Sequence, residues 1–227
     1  MDSRGTGRVE GSPDADVRHA LGTMAKEVTD VLGIAATTMA THDGSVVSKI
    51  LARDADIQWW GAMVHDMCAR RTGRTDVAEQ ELRQLSAILR LATGLEHVAE
   101  LAESITGRAR DLHQLAPTSV DPELLQAVEV ARAAVRRTTE VVTNPAGGAE
   151  RGLAQLSHEL RLPPRIAPEV PTAGAEDPRQ LRRAVRMQAL VQDVELLLEA
   201  ALDLPLLAAE SVSRESTRRN GDQAGPR

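Results

Sequence analysis

Apolar residues recur at steps of three and four along most of the chain, which is the spacing of a buried helix face. The first stripe predicts a helix that ends near His42, and two more helices follow, the third from Val77 to Leu115. Pro117 closes this half, because the residue before a proline is biased away from the helical conformation. These three helices predict one antiparallel bundle over residues 15–116. The stripe of the first helix contains Val17, Leu21, Met24, Val28, Val31 and Ala35.

The second half has the same order of elements with a weaker middle one. A fourth helix follows Pro122, a weak helical segment lies around Leu156, and a proline-rich loop leads to a final helix from Pro178. We therefore predict an all-α chain of six helices, arranged as two tandem antiparallel three-helix bundles, the second of them degenerate and spanning residues 117–210. The stripe predicted for the final helix is Leu181, Val185, Leu190, Val194, Leu197, Ala201 and Leu204.

The two halves also match in sequence. Glu96 aligns with Glu195 and Glu100 with Glu199, at a constant offset of 99 residues, and apolar neighbours match around them. The first and fourth helices match at an offset of 107 residues, for example Val17 with Leu124. An internal repeat of this kind indicates two copies of one structural unit.

Composition and charge exclude several classes of protein. The 227 residues have a formal net charge of −6 and contain no Phe and no Tyr, so a nucleic-acid partner is not expected. Cys68 is the only cysteine, which rules out an intramolecular disulfide and fits a reducing cytoplasm. No apolar run approaches the roughly 18 residues of a membrane span, so we expect no membrane insertion. Residues 1–14 and 211–227 are polar and without periodicity, and we predict disordered tails there.

Carboxylates at the edge of the apolar stripes are the candidate chemistry. Glu96 and Glu100 lie one turn apart on the third helix, and such i and i+4 carboxylates can bridge Mg, Mn, Fe or Zn if other elements add ligands. Asp54 occupies a position of the second helix's stripe, between Ile50 and Ile57, so its carboxylate is predicted to point inward. The alternative is that these acids are ordinary residues of a solvent-exposed flank or are paired with arginine.

The run ELRQLSAILRLATGLEHVAELAESI resembles the signature of the PhoU family of phosphate-uptake regulators, in which an Arg precedes a Glu by thirteen residues, as Arg83 precedes Glu96 here. The resemblance implies two tandem three-helix bundles with metal-binding acidic motifs on their surface. The candidate metal ligands are Glu96, Glu100, Asp54, Asp193, Glu195 and Glu199. Gly94 stands where the family usually has Asp, whereas Asp193 keeps that acid in the second repeat.

The resemblance also implies a role. A PhoU-like protein is a non-catalytic cytoplasmic regulator, expected to form a homodimer and to bind the ATPase of a phosphate ABC transporter and a sensor histidine kinase. The middle helix of the second repeat is predicted to be shortened. We therefore expect the first repeat, which contains Asp54, to hold the better metal site.

Two other functions compete with this one. An HD-type metal-dependent phosphohydrolase would use His42, His65, Asp66 and Asp111, although Asp66 falls away from the apolar stripe and should face solvent. A helical adaptor that binds partners without any metal is the third interpretation. The absence of a nucleophile and base at sensible spacing favours a protein that is not an enzyme.

Overall fold

A computed structural model describes residues 13–41, 47–115, 120–144 and 177–212 of the chain. These residues form five α-helices and no strand, which confirms the predicted all-α class for the described part. The weak segment around Leu156 lies outside the described residues, as does His42, so the sixth helix remains a prediction. The helices are α1 (Pro13–Ala40), α2 (Val47–Thr72), α3 (Glu79–Leu115), α4 (Pro122–Thr143) and α5 (Pro178–Val212).

An Asp-Pro pair starts each of the last two helices. Asp121 Oδ1 accepts a hydrogen bond of 2.9 Å from the backbone N–H of Glu123, and Asp177 Oδ1 accepts one of 2.9 Å from Arg179. Each aspartate accepts a hydrogen bond from one of the backbone N–H groups that have no partner at a helix start. The proline that follows costs no helical hydrogen bond, because the N–H that it lacks would have no partner at that position. The boundaries of α4 and α5 therefore follow from local sequence.

Helices α1, α3, α4 and α5 pack around one core, and α2 packs on α1 and α3. Helix α3 runs antiparallel to α5, because Arg90 is paired with Glu210 at one end and Arg186 contacts Asp111 at the other. Their shared core consists of aliphatic and methionine side chains. The largest of these that are fully buried include Leu21, Met24, Leu32, Met39, Leu91, Leu95, Ile105, Leu124, Leu190 and Leu197.

The stripe predicted for α5 is correct only from Leu190 onward. Leu181 and Val185 are exposed, although the predicted stripe includes both. The reason is helix geometry: Leu181 lies nine residues and Val185 five residues before the buried Leu190, which places them roughly 180° and 140° around α5 from it, on the face turned away from the core.

The other end of α5 is longer than its stripe predicts. The helix continues through Pro205 to Val212, two residues into the segment predicted to be a disordered tail. Ser211 is buried, and its hydroxyl donates to the carbonyl of Ala208 at 2.7 Å. No helix in the described part of the chain is long and apolar enough to cross a lipid bilayer.

Candidate functional site

The two carboxylates of the predicted metal motif on α3 point in different directions. Glu96 is half-buried, and its carboxylate lies over Gly61 of α2, where a Cβ atom would overlap it. Glu100 is exposed, one turn further along α3, and its nearest ionisable neighbour is His97, whose Nδ1 lies 3.7 Å away. The glycine in the apolar stripe of α2 therefore provides the space that Glu96 occupies at the α2–α3 contact.

Asp54 does not point into the core as its position in the stripe predicted. Its side chain is half-exposed, and its Oδ2 accepts a hydrogen bond of 2.9 Å from Gln58 Nε2 on the same helix, while the flanking Ile50 and Ile57 are buried. A carboxylate without a cation is unfavourable in an apolar core, so it turns toward water. Asp54 also lies seven residues, roughly 10 Å along α2, from the Gly61 position that Glu96 covers.

Asp193 is the buried acid of the set, and protein donors already bind it. It is 8% exposed, and its Oδ2 accepts hydrogen bonds from Ser104 Oγ at 2.6 Å and from Arg108 Nε at 2.5 Å, both on α3. This ion pair joins α3 to α5 in the middle of their contact. Asp193 therefore stabilises the packing of α3 against α5, and its carboxylate is not free to bind a metal.

Gly94, which aligns with Asp193 at the offset of 99 residues, leaves no room for a side chain. A Cβ atom at Gly94 would lie 2.7 Å from Cδ2 of Leu204, which is itself buried. At Asp193, α3 and α5 are joined by an ion pair with Arg108. At Gly94, they are joined by close packing of Leu204 against the glycine. An acid at position 94 would therefore overlap Leu204.

Glu195 and Glu199 are both exposed on α5. The six predicted ligands are thus distributed over several surfaces, and in the described ranges no three His, Cys, Asp or Glu side chains are grouped so as to hold a metal ion. These residues do not fit a metal bound within one chain. Metal binding remains a prediction from the sequence.

Arg53 is a site residue that the sequence did not indicate. It reaches from α2 to Glu27 and Asp30 of α1, and the hydrogen bond with Glu27 raises the pKa of the Arg53 guanidinium. The pairing depends on the antiparallel register of α1 and α2, which also brings His19 edge-on to Trp60 with ring centroids 6.2 Å apart. Charge alternation alone does not reveal that register.

The phosphohydrolase alternative is not supported by the positions of its residues. Asp66 is exposed, as predicted, and is paired with Arg70 one turn away. Because Gly61 of α2 lies at the level of Glu96, the His65 region lies near residue 92 of α3, roughly 28 Å along the helix from Asp111. Asp111 is instead paired with Arg110 and Arg186.

A prediction about metal content follows from these positions. Protein purified without chelator is expected to hold less than one metal ion per chain by elemental analysis. The double variant Glu96→Gln/Glu100→Gln is expected to equal the wild type, because a carboxylate pair on one helix seldom retains a metal without ligands from a second element. The matched control is Glu195→Gln/Glu199→Gln. A stoichiometric metal that only the first double variant loses would restore the metal site predicted from the sequence.

No protein-family model matches the sequence, and no curated protein matches it significantly. Among solved structures, the chain is similar to the crystal structure of PhoU from Pseudomonas aeruginosa, with a TM-score of 0.68 and 17% sequence identity. The similarity covers 87% of this chain and 96% of that one. At this identity the likeness establishes a PhoU-like fold.

Proposed function

We propose that this chain is a non-catalytic cytoplasmic regulator of phosphate uptake and phosphate-response signalling, which acts by binding other proteins. The observation that carries the proposal is the PhoU-like fold over nearly the whole length of the neighbour, 96% of its chain. Two features of the sequence, the tandem repeat and the spacing of Arg83 and Glu96, support the same assignment. By that resemblance the partners are a phosphate transporter ATPase and a sensor histidine kinase.

The outer face of α2 is the surface we assign to partner binding. Trp59 is 56% exposed there, whereas its neighbour Trp60 packs partly against the core. Trp59 meets Trp60 edge-on, with centroids 4.6 Å apart, so one edge of the exposed ring packs on a partly buried neighbour. Tryptophan is one of the side chains enriched at the energetic centre of protein interfaces.

The test of the function is genetic. Deletion of the gene is expected to derepress phosphate-scavenging genes in phosphate-rich medium, and expression of the wild-type chain should restore repression. Trp59→Ala should fail to restore it and should weaken capture of the transporter ATPase or the kinase at least about tenfold, because such an anchor is worth about 2 kcal/mol. The matched control is Leu82→Ala, an exposed apolar residue on α3.

The competing function is the metal-free adaptor with partners unrelated to phosphate. The fold and the exposed Trp59 suit it equally, so the transcriptional response decides between the two. An unchanged response after deletion, together with capture of unrelated proteins through Trp59, would replace the phosphate assignment with the adaptor.

A further inference from the structure

The first turns of α5 contain no buried residue. From Pro178 to Ala189 every side chain is exposed or partly exposed, and the first buried residue of the helix is Leu190. We call residues 178–186 the α5 basic segment, because it contains four arginines and no carboxylate. The arginines are Arg179, Arg182, Arg183 and Arg186. At 100° per residue they fall within an arc of roughly 100° that includes the direction of Leu190, so they form one face of the helix.

Three of these arginines form no ion pair with any described residue. Elsewhere in the described ranges most arginines are ion-paired. Within the α5 basic segment, Arg186 Nη1 lies 3.5 Å from a carboxylate oxygen of Asp111 on α3. Arg179, Arg182 and Arg183 have no such partner among the described residues. In a chain of net charge −6, positive charge that is concentrated in two turns and not neutralised indicates an anionic partner.

Exposed aliphatic side chains lie beside the arginine face. Leu181 is 52% exposed and Val185 is 60% exposed, and Val185 lies roughly 60° around the helix from Arg182. Leu115, one turn after Asp111 at the end of α3, is 39% exposed at the same end of the bundle. A soluble anion would use the arginines and leave these side chains in water. Arginines next to exposed aliphatic residues on one helix are typical of segments that lie on an anionic membrane surface.

We propose that the α5 basic segment binds the surface of an anionic lipid bilayer. Leu181 and Val185 lie on the side of the helix that is turned away from the core, so this side can approach a flat surface and enter the boundary between headgroups and acyl chains. The arginines on the flank are long enough to reach back to the headgroup phosphates, which their planar guanidinium groups bind well.

The contact is weak, reversible and sensitive to salt. It uses a short segment with two aliphatic side chains, and its attraction to lipid comes mainly from charge, which acts only within about a Debye length. The rest of the acidic chain is repelled by the same surface, so only this end of the bundle approaches the bilayer. The contact goes beyond the proposed phosphate role and does not depend on it.

The first experiment is co-sedimentation of the full chain with vesicles of phosphatidylcholine, alone or mixed in equal parts with phosphatidylglycerol. The wild type sediments with the anionic vesicles and not with the neutral ones, and about 1 M salt releases it, because the Debye length falls to about 3 Å. Arg179→Gln/Arg183→Gln lowers the partition coefficient at least about tenfold. The matched control, Arg18→Gln/Arg136→Gln, removes the same charge from two other arginines without an ion pair in the described ranges and leaves the partition coefficient unchanged.

Two further probes separate lipid from other anionic partners. Leu181→Ala/Val185→Ala lowers the partition coefficient at least about threefold, because the membrane contact buries these side chains. Circular dichroism checks that every variant is folded. The proposal is overturned if the wild type ignores anionic vesicles, or if the control variant loses as much binding as the arginine variant. Arginine-dependent binding of poly-glutamate or of tripolyphosphate, without binding to vesicles, assigns the segment to an acidic protein or to a soluble anion and also overturns it.

A fluorescent label then tests which end of the bundle meets the lipid. A polarity-sensitive fluorophore on Val185→Cys shifts its emission to the blue when anionic vesicles are added. The same label on Leu82→Cys does not, because Leu82 lies at the start of α3, at the opposite end of the bundle from the start of α5. The native Cys68 is not labelled, since burial raises the pKa of its thiol to about 11. An unchanged emission at position 185, or an equal shift at both positions, overturns the proposal.

Discussion

Leu197→Ala is expected to lower the free energy of unfolding by about 3 kcal/mol, whereas Leu181→Ala is expected to change it by less than about 0.5 kcal/mol. Both leucines lie in the stripe that the sequence predicts for α5. Leu197 is fully buried, so its truncation removes contacts and leaves a cavity, while Leu181 is exposed on the opposite side of the helix. The difference between the two variants tests directly where the packed part of α5 begins.

Urea unfolding followed by circular dichroism measures this difference. An equal loss of stability in the two variants would mean that residues 178–186 are packed like the rest of α5. Leu82→Ala on α3 provides a second exposed leucine for comparison.

Asp193→Ala is expected to destabilise the fold by about 2 kcal/mol. The variant removes a charged acceptor from two donors, and it leaves Ser104 without its partner and Arg108 without its counter-charge. The loss stays below that of a fully buried ion pair because the Arg108 side chain is partly exposed to water. Asp193→Asn keeps an acceptor for Ser104, so its effect should be intermediate.

A double-mutant cycle with Arg108→Ala separates the ion pair from other effects of the substitutions. The double variant should be less destabilised than the sum of the two single variants, by about 1 kcal/mol. Asp203→Ala, an exposed acid of the same helix, should have no measurable effect. Additive losses in the cycle would show that Asp193 and Arg108 do not interact in solution.

The helices are predictable because their apolar stripes are long and regular. Leu95, Val98 and Ile105 are spaced for a buried face and are buried, and the predicted start of α3 at Val77 is two residues from the observed one. Periodicity reveals which side of a helix is apolar. A step of five residues leaves that side, and this is why the predicted stripe wrongly includes Val185, which lies roughly 140° around α5 from Leu190.

The roles of the acids are less predictable, for a related reason. The repeat alignment identifies Glu96 and Glu195, but the partner of an acid depends on which helix packs opposite it and in what register. By resemblance, Asp193 aligns with a metal ligand of the PhoU family. In the structure it forms an ion pair with Arg108. The signal that could have indicated this is the match of Asp193 with Gly94, since an acid in one repeat and a glycine in the other implies different neighbours.

That same asymmetry determines which halves of the chain can recognise each other. Two identical first halves would place Gly94 opposite Arg108, leaving the guanidinium without an acid at both ends of the contact. Two identical second halves would place Asp193 beside Asp203, one carboxylate against another. Only the contact between α3 of the first half and α5 of the second half contains both the ion pair of Arg108 with Asp193 and the packing of Leu204 on Gly94. The contact faces of α3 and α5 are therefore complementary to each other, and neither helix can replace the other.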